Sequence, residues 1–297
     1  AATWICCIAA FVLLPRAIRF RTAAVTVLAV ATLARLALLA HPASDDVNRY
    51  LWEGRLVAAG LSPYRHAPVA ADDVAADRFR DPDDRIWTGI NHPEMTAIYP
   101  PLALALFAAT SAVAYDPLAI KVVMTLFDLG AIGVLLGLLH RRRAAPRLAI
   151  LYALNPLSLH AFAAQGHIDA VIVFLLLAAV HLAADRQWRW MYVALGAAVA
   201  VKYPVLLAVP FFVRRENVRH GWIGASVAIA AFAPFVWHDG AAVFASLMRF
   251  GSDMAFNGFL HGWVRLAAGA IGPATALCAL ASSLVFVFGL ARFVQLG

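Results

Sequence analysis

Residues 118–139 read LAIKVVMTLFDLGAIGVLLGLL and run straight into His140-Arg141-Arg142-Arg143. A run of this length and apolarity is what a helix needs to cross a hydrocarbon layer of about 30 Å. The arginines behind it mark the cytoplasmic end of a crossing. Asp128 sits in the middle of the run, where a carboxylate needs a partner inside the bundle.

Similar apolar segments lie at 1–14, 23–41, 98–115, 148–163, 168–184, 190–213, 222–237, 258–272 and 274–294. The first is short for a crossing and reads as the remainder of a longer one. Of the 297 residues, 63% are hydrophobic and only 14% charged, against about 45–50% and 25% in soluble domains. Mean hydropathy is +0.78. A water-soluble fold of this size cannot hide so much apolar side chain. The chain therefore reads as an all-α, polytopic transmembrane bundle, a single integral membrane domain over 1–297. Helices rather than barrel strands are expected, because the runs are long and do not alternate.

Charge orients the bundle. Arg16-Arg19-Arg21, Arg141-Arg142-Arg143-Arg147, Arg186-Arg189 and Arg214-Arg215-Arg219 are assigned to the cytoplasm. Segment 42–97 then lies outside, with Gln165–Asp169 and Trp237–Gly240. This loop holds ten of the 17 acidic residues. With 42–97 outside and 141–147 inside, segments 98–115 and 118–139 cannot both cross. One is re-entrant or tilted, or the arginine cluster is an exception. The net charge of +7 reads as topology and not as a nucleic-acid surface, since the basic residues are scattered over helix ends. Cys6, Cys7 and Cys278 offer neither a disulfide framework nor a metal spacing.

Within 42–97, residues 47–60 read as a helix lying on the membrane. Val47, Tyr50, Leu51, Gly54 and Val57 share one face, and Asn48, Arg49, Glu53 and Arg55 are polar. Tyr50 and Trp52 suit the headgroup level. Just before it stands Ser44-Asp45-Asp46, two carboxylates at the outer surface that could take a proton from a hydroxyl. The competing reading is a helix cap, and one residue can cap while the other acts.

Three further places carry chemistry. Gln165-Gly166-His167-Ile168-Asp169 joins two segments on the outer side and could orient a substrate or simply cap the next helix. Lys202 falls where Lys202-Tyr203-Pro204 breaks segment 190–213. We read there two half-helices that dip to the outer side and return, with Lys202 at the tip, where a cation could neutralise an anionic leaving group. Asn91-His92-Pro93-Glu94 and Ile98-Tyr99-Pro100-Pro101 lead back into the membrane and read first as loop anchors. Arg35 lies within segment 23–41, where it snorkels or faces the bundle. Asp72, Asp73, Asp81, Asp83 and Asp84 alternate with Arg78, Arg80 and Arg85, a pattern of ion pairs rather than a metal site. No phosphate loop, dinucleotide fingerprint, HExxH or CxxC pattern occurs.

These motifs together resemble a known family. Ser44–Arg55, Leu61–Pro68, Ile98–Leu102, Leu154-Asn155-Pro156-Leu157, Gly166–Asp169, Lys202-Tyr203-Pro204 and Phe256-Asn257-Gly258 occur in the order and spacing of bacterial GT-C glycosyltransferases, over about residues 23–260. The chain is most similar to polyprenyl-phosphate-mannose-dependent mannosyltransferases of the family 87 type. The resemblance implies an inverting enzyme at the outer face of the plasma membrane. Its donor would be a hexose, mannose first, on a polyprenyl phosphate. Its acceptor would be a glycolipid or glycan, and it would need no cofactor and bind no nucleic acid. Asp45 or Asp46 would be the base. The substrate-binding set would be Arg49, Tyr50, Glu53, Arg55, His92, Tyr99, Gln165, His167, Asp169, Lys202 and Asn257. A secondary transporter, or a non-catalytic relative of such an enzyme, is the competing class. The broken helix favours a transporter, and the lack of an internal repeat disfavours it.

Overall fold

A computed structural model describes residues 11–12, 19–70 and 73–253. Segments 258–272 and 274–294, most of 1–14, the three cysteines and the Phe256-Asn257-Gly258 motif lie outside the described residues. Within them the chain is all-helical, with no strand. Three stretches are long and apolar enough to cross a membrane: α1 (Phe20–Leu38), a helix over Pro117–Arg141, and Val218–Asp239. The protein is an all-α membrane protein.

After α1 come α2 (Asp45–Ala58), α3 (Pro101–Val113) and α4 (Pro117–Arg141). Asp116 caps α4 by accepting from Leu118 N at 2.7 Å, and Pro117 takes the first-turn position that has no donor to lose. α1 and α4 run antiparallel. The Phe20 and His140 rings meet at one end, 4.6 Å apart. At the other end Lys121 Nζ donates to the carbonyls of Leu39 at 2.8 Å and His41 at 2.5 Å, closing off the terminal acceptors of α1.

Midway, Arg35 Nε donates to Asp128 Oδ2 at 2.7 Å, and both side chains are wholly buried. Tyr152 Oη donates to the other Asp128 oxygen at 2.6 Å, and Arg35 Nη1 donates to Ala153 O at 2.8 Å. Arg35 thus faces the bundle and is the partner that Asp128 needs. An intramembrane ion pair persists only with such extra partners.

Of the two segments, α3 is the one that is not long enough by itself to count as a crossing. Its 13 residues span about 20 Å, short of the hydrocarbon thickness. It lies against α2, where Tyr50 stacks on Phe107 with ring centroids 4.3 Å apart and Ser111 Oγ donates to Leu51 O at 3.0 Å. Gly54 permits the approach, since a Cβ there would sit 2.4 Å from Phe107 O.

One expectation is corrected. Segment 148–163 is not one continuous helix. It is a 3-10 turn (Pro146–Ala149), a short helix (Ile150–Ala153), an interruption at Asn155, and a π-turn (Leu159–Ala164). Pro156 removes a donor and holds Asn155 extended, at φ −62° and ψ 123°. In α2, by contrast, several residues of the polar side are covered. Arg49 is 4% exposed, and Glu53 and Trp52 are fully buried. Residues 61–70 and 73–99 fold over them, with Trp52 Nε1 donating to Phe79 O at 2.9 Å.

That covering loop is braced from within. Arg80 donates to the carbonyls of Ala67 at 2.9 Å and Asp73 at 2.7 Å, and pairs with the Asp73 and Asp77 carboxylates, both at 2.8 Å.

The last part is α5 (Asp169–Ala184), α6 (Trp188–Val201), α7 (Gly221–Asp239) and α8 (Ala242–Asp253). α6 stops where Lys202 turns extended (φ −155°, ψ 124°) before a 3-10 turn over Tyr203–Leu207 and a short helix Val209–Phe212. The chain then returns to the level where α6 began, because Arg186 pairs with Glu216 at 2.8 Å and Tyr192 Oη donates to Asn217 at 3.0 Å. This is the half-helix pair with Lys202 at its tip. α7 rises again, and Asp239 at its end takes an ion pair from Arg65 at 2.8 Å and a hydrogen bond from Ser62. Residues 42–47, 61–70, 73–99, 165–169, 202–204 and 239 are thereby gathered at one end of the bundle.

Candidate active site

The gathered loops surround a cavity of about 420 Å³, lined by Asp46, Arg49, Asn91, His92, Met95, Ile98, Tyr99, Pro100, Lys202, Tyr203, Pro204 and Leu247. The volume is within the range of small-molecule sites. One side is polar and charged; the other, from Met95 to Pro204 and Leu247, is apolar.

The two neighbouring carboxylates are separated by helix geometry. Asp45 is exposed and turned to the start of α2, its Oδ1 accepting from Asp46 N at 3.0 Å and from Ser44 Oγ at 3.2 Å. It does not line the cavity. Asp46 does. Its Oδ1 accepts from Asn91 Nδ2 at 2.8 Å, and its Oδ2 lies 3.4 Å from His167 Nδ1. The His167 contact, then Asn91 and the Lys202 charge, hold the Asp46 carboxyl below the ordinary carboxylate range against the opposing cost of burial.

His167 reaches Asp46 because of a glycine. Gly166 has φ +79°, and a Cβ there would meet Val47 Cγ2 at 2.9 Å. Only glycine tolerates both demands. Gln165 fixes the same turn by accepting from Ser44 N through its carbonyl at 3.0 Å and donating to Pro42 O through Nε2 at 3.3 Å. It anchors the turn and does not line the cavity.

Lys202 lines the cavity with its Nζ held by Asp169, 2.7 Å from Oδ1 and 2.9 Å from Oδ2. The ion pair ties the tip of the half-helix pair to the first turn of α5. Asp169 is its counter-ion and stands behind it.

The remaining residues named from sequence divide. His92 and Tyr99 line the cavity; His92 has φ +45°, and Tyr99 Oη donates to Tyr50 Oη at 3.3 Å. Arg49 lines it too, but its guanidinium is spent on backbone, donating to Asn91 O and His92 O, both at 2.7 Å, and to Met95 O at 3.1 Å. Glu53 holds Arg49 at 3.0 Å and is buried away from the cavity, its carboxyl pushed up to about 7 by burial and only partly relieved by Arg49. Tyr50 is packed in the core. Arg55 is far along α2, 4.8 Å from the Tyr115 ring centroid and 3.9 Å from Asp84. Asn257 lies outside the described residues.

Sequence reasoning took Asn91 for a loop anchor, and its bond to Asp46 has no linear signature. Met95, Tyr203, Pro204 and Leu247 are apolar wall residues, indistinguishable in sequence from core. Among the described residues, no cluster of three or more His, Cys, Asp or Glu side chains is arranged to hold a metal ion.

The arrangement pairs an ionised carboxylate with a lysine on one partly apolar cavity. It can accept a proton at one point and stabilise an anion at another. Residues 1–215 match a family model, the MptA_B family, described as Alpha-(1->6)-mannopyranosyltransferase, N-terminal domain. No solved structure matches the chain.

Proposed function

We propose how transfer proceeds in this chain, which belongs to the MptA_B family of alpha-(1->6)-mannopyranosyltransferases. Membership makes it a glycosyltransferase acting on mannose; the steps that follow are our reading.

The donor is mannose on a polyprenyl phosphate. The acceptor is a glycolipid or glycan whose primary hydroxyl, O6 of its receiving sugar, is free, as an alpha-(1->6) linkage requires. Asp46 takes the O6 proton as that oxygen attacks the anomeric carbon from the face opposite the phosphate. The bond from the anomeric carbon to the phosphate oxygen breaks, and polyprenyl phosphate leaves with the electron pair. Inversion then delivers an α product from a β-linked donor. The transition state has oxocarbenium character. Negative charge from Asp46 favours it, and the Lys202 ammonium stabilises the charge gathering on the phosphate. The apolar wall from Met95 to Pro204 suits the first isoprene units, which enter sideways from the bilayer. The site lies at the extracytoplasmic face of the plasma membrane, since the arginine clusters at Arg141–Arg143 and Arg214–Arg215 stand at the other end of the helices.

The observation that carries this reading is that Asp46 and Lys202 line the same cavity while Asp45 does not. Transfer from polyprenyl-phosphate-mannose in membranes tests it. Asp46→Asn is expected to lower kcat by about 10²- to 10⁴-fold, and Asp45→Asn to stay within about threefold. Full transfer by Asp46→Asn would remove it from the base role.

A further inference from the structure

A second built cavity lies at the opposite end of the bundle. It measures about 490 Å³ and is lined by Arg189, Arg219, His220, Trp222 and Ile223. Arg189 lies in the first turn of α6, and Arg219 lies in the 3-10 turn that leads into α7. Among the described residues neither guanidinium has an acidic partner. The two acids of this neighbourhood are already engaged, Asp185 by Arg141 and Glu216 by Arg186. Positive charge is therefore concentrated and uncompensated in a concave place.

Two tryptophans set its depth. Trp190 is 63% exposed and Trp222 67% exposed. Exposed indoles on membrane helices sit at the headgroup level, so Arg189 and Arg219 stand where lipid phosphates lie. Arginine matches phosphate geometry with two parallel donors.

An apolar slot adjoins this cavity. It measures about 230 Å³ and runs between α6, the returning segment and α7, with Leu195, Val199, Leu206 and Ala225 among its walls. Tyr192 of the slot follows Arg189 by one turn of α6. Val218 and Gly221 of the slot flank Arg219 and His220 of the cationic pocket. The slot continues the pocket towards the membrane interior. A cationic mouth at headgroup level over an apolar slot has the shape of a phospholipid.

We propose that these two cavities bind one anionic phospholipid of the leaflet opposite the candidate active site, its phosphate between Arg189 and Arg219 and one acyl chain between α6 and α7. The site is separate from the transfer reaction, because Lys202 lies beyond the far end of the 14-residue α6, about 20 Å away.

Native mass spectrometry of the detergent-purified chain, supplied with dioleoyl phosphatidylglycerol or dioleoyl phosphatidylcholine, tests it. The wild type is expected to retain phosphatidylglycerol about tenfold or more over phosphatidylcholine. Arg189→Gln with Arg219→Gln is expected to abolish that preference. Ala225→Phe, which fills the slot and leaves both arginines, is expected to reduce retention of either lipid. Arg78→Gln with Arg85→Gln, in the distant loop, is expected to keep the wild-type preference. Equal retention of the two lipids by the wild type, or an unchanged preference in the arginine double variant, would overturn the proposal. Unchanged retention in Ala225→Phe would overturn the acyl-chain half. Displacement of phosphatidylglycerol by inorganic phosphate alone would overturn the assignment to a lipid.

Discussion

Asp46 shows how much of a residue's chemistry comes from its neighbours. In our reading it works ionised, so transfer is lost as pH falls through its pKa. With that pKa lowered chiefly by His167, the loss falls below the ordinary carboxylate range. His167→Ala removes the largest lowering influence and is expected to move the acid limb of the kcat profile upward, measured as initial rate against pH in proteoliposomes. Glu53 presents the opposite case. Its carboxyl is raised to about 7, so the folded chain binds this proton more tightly than the unfolded chain does. Stability from this group is fully present at low pH and is lost as pH rises towards 7. Glu53→Gln is expected to flatten that dependence, narrowing the difference between pH 5 and pH 8 by about 1–3 kcal/mol. Thermal melting in detergent at the two pH values would measure it.

At the scale of elements, the tip between α6 and the returning segment carries, in our reading, the lysine that meets the leaving phosphate. Pro204 stops α6 from running on, and Lys202 is extended as a result. Pro204→Ala is expected to let the helix propagate, turn Lys202 away from Asp169, and lower transfer by about tenfold or more with expression intact. Rates and chain yield from the same membranes would check it. This break was legible in the sequence, because a lysine beside a proline in an apolar run admits few structures. Asn155-Pro156 carries the same kind of signal, but an apolar stretch of membrane length outweighs one proline in a linear reading. The burial of α2 was not legible. Arg49 and Glu53 read only as polar positions of an amphipathic helix until the carbonyls of Asn91, His92 and Met95 are brought to Arg49 from more than 40 residues away. The choice between Asp45 and Asp46 likewise depends on where the first turn of α2 points, which two adjacent letters do not encode.

For the molecule as a whole, the Arg35–Asp128 pair decides whether α1, α4 and the interrupted segment through Tyr152 hold one register. Asp128→Ala leaves a buried guanidinium without its counter-charge and is expected to cost about 3–5 kcal/mol. Replacing both residues by leucine is expected to recover much of that loss. Monodisperse yield on size-exclusion chromatography ranks the three chains. The ion pair from Arg65 and the hydrogen bond from Ser62, both to Asp239, also reach across the molecule, the latter over 177 positions. Ribosomes make the cover of the cavity long before they make its latch. During synthesis the covering loop must therefore wait until the helix ending in Asp239 has been made. A chain stalled before that point would carry Asp46 and Lys202 beneath an unfastened roof, so in our reading of those two residues catalytic competence arrives late in the life of the nascent polypeptide.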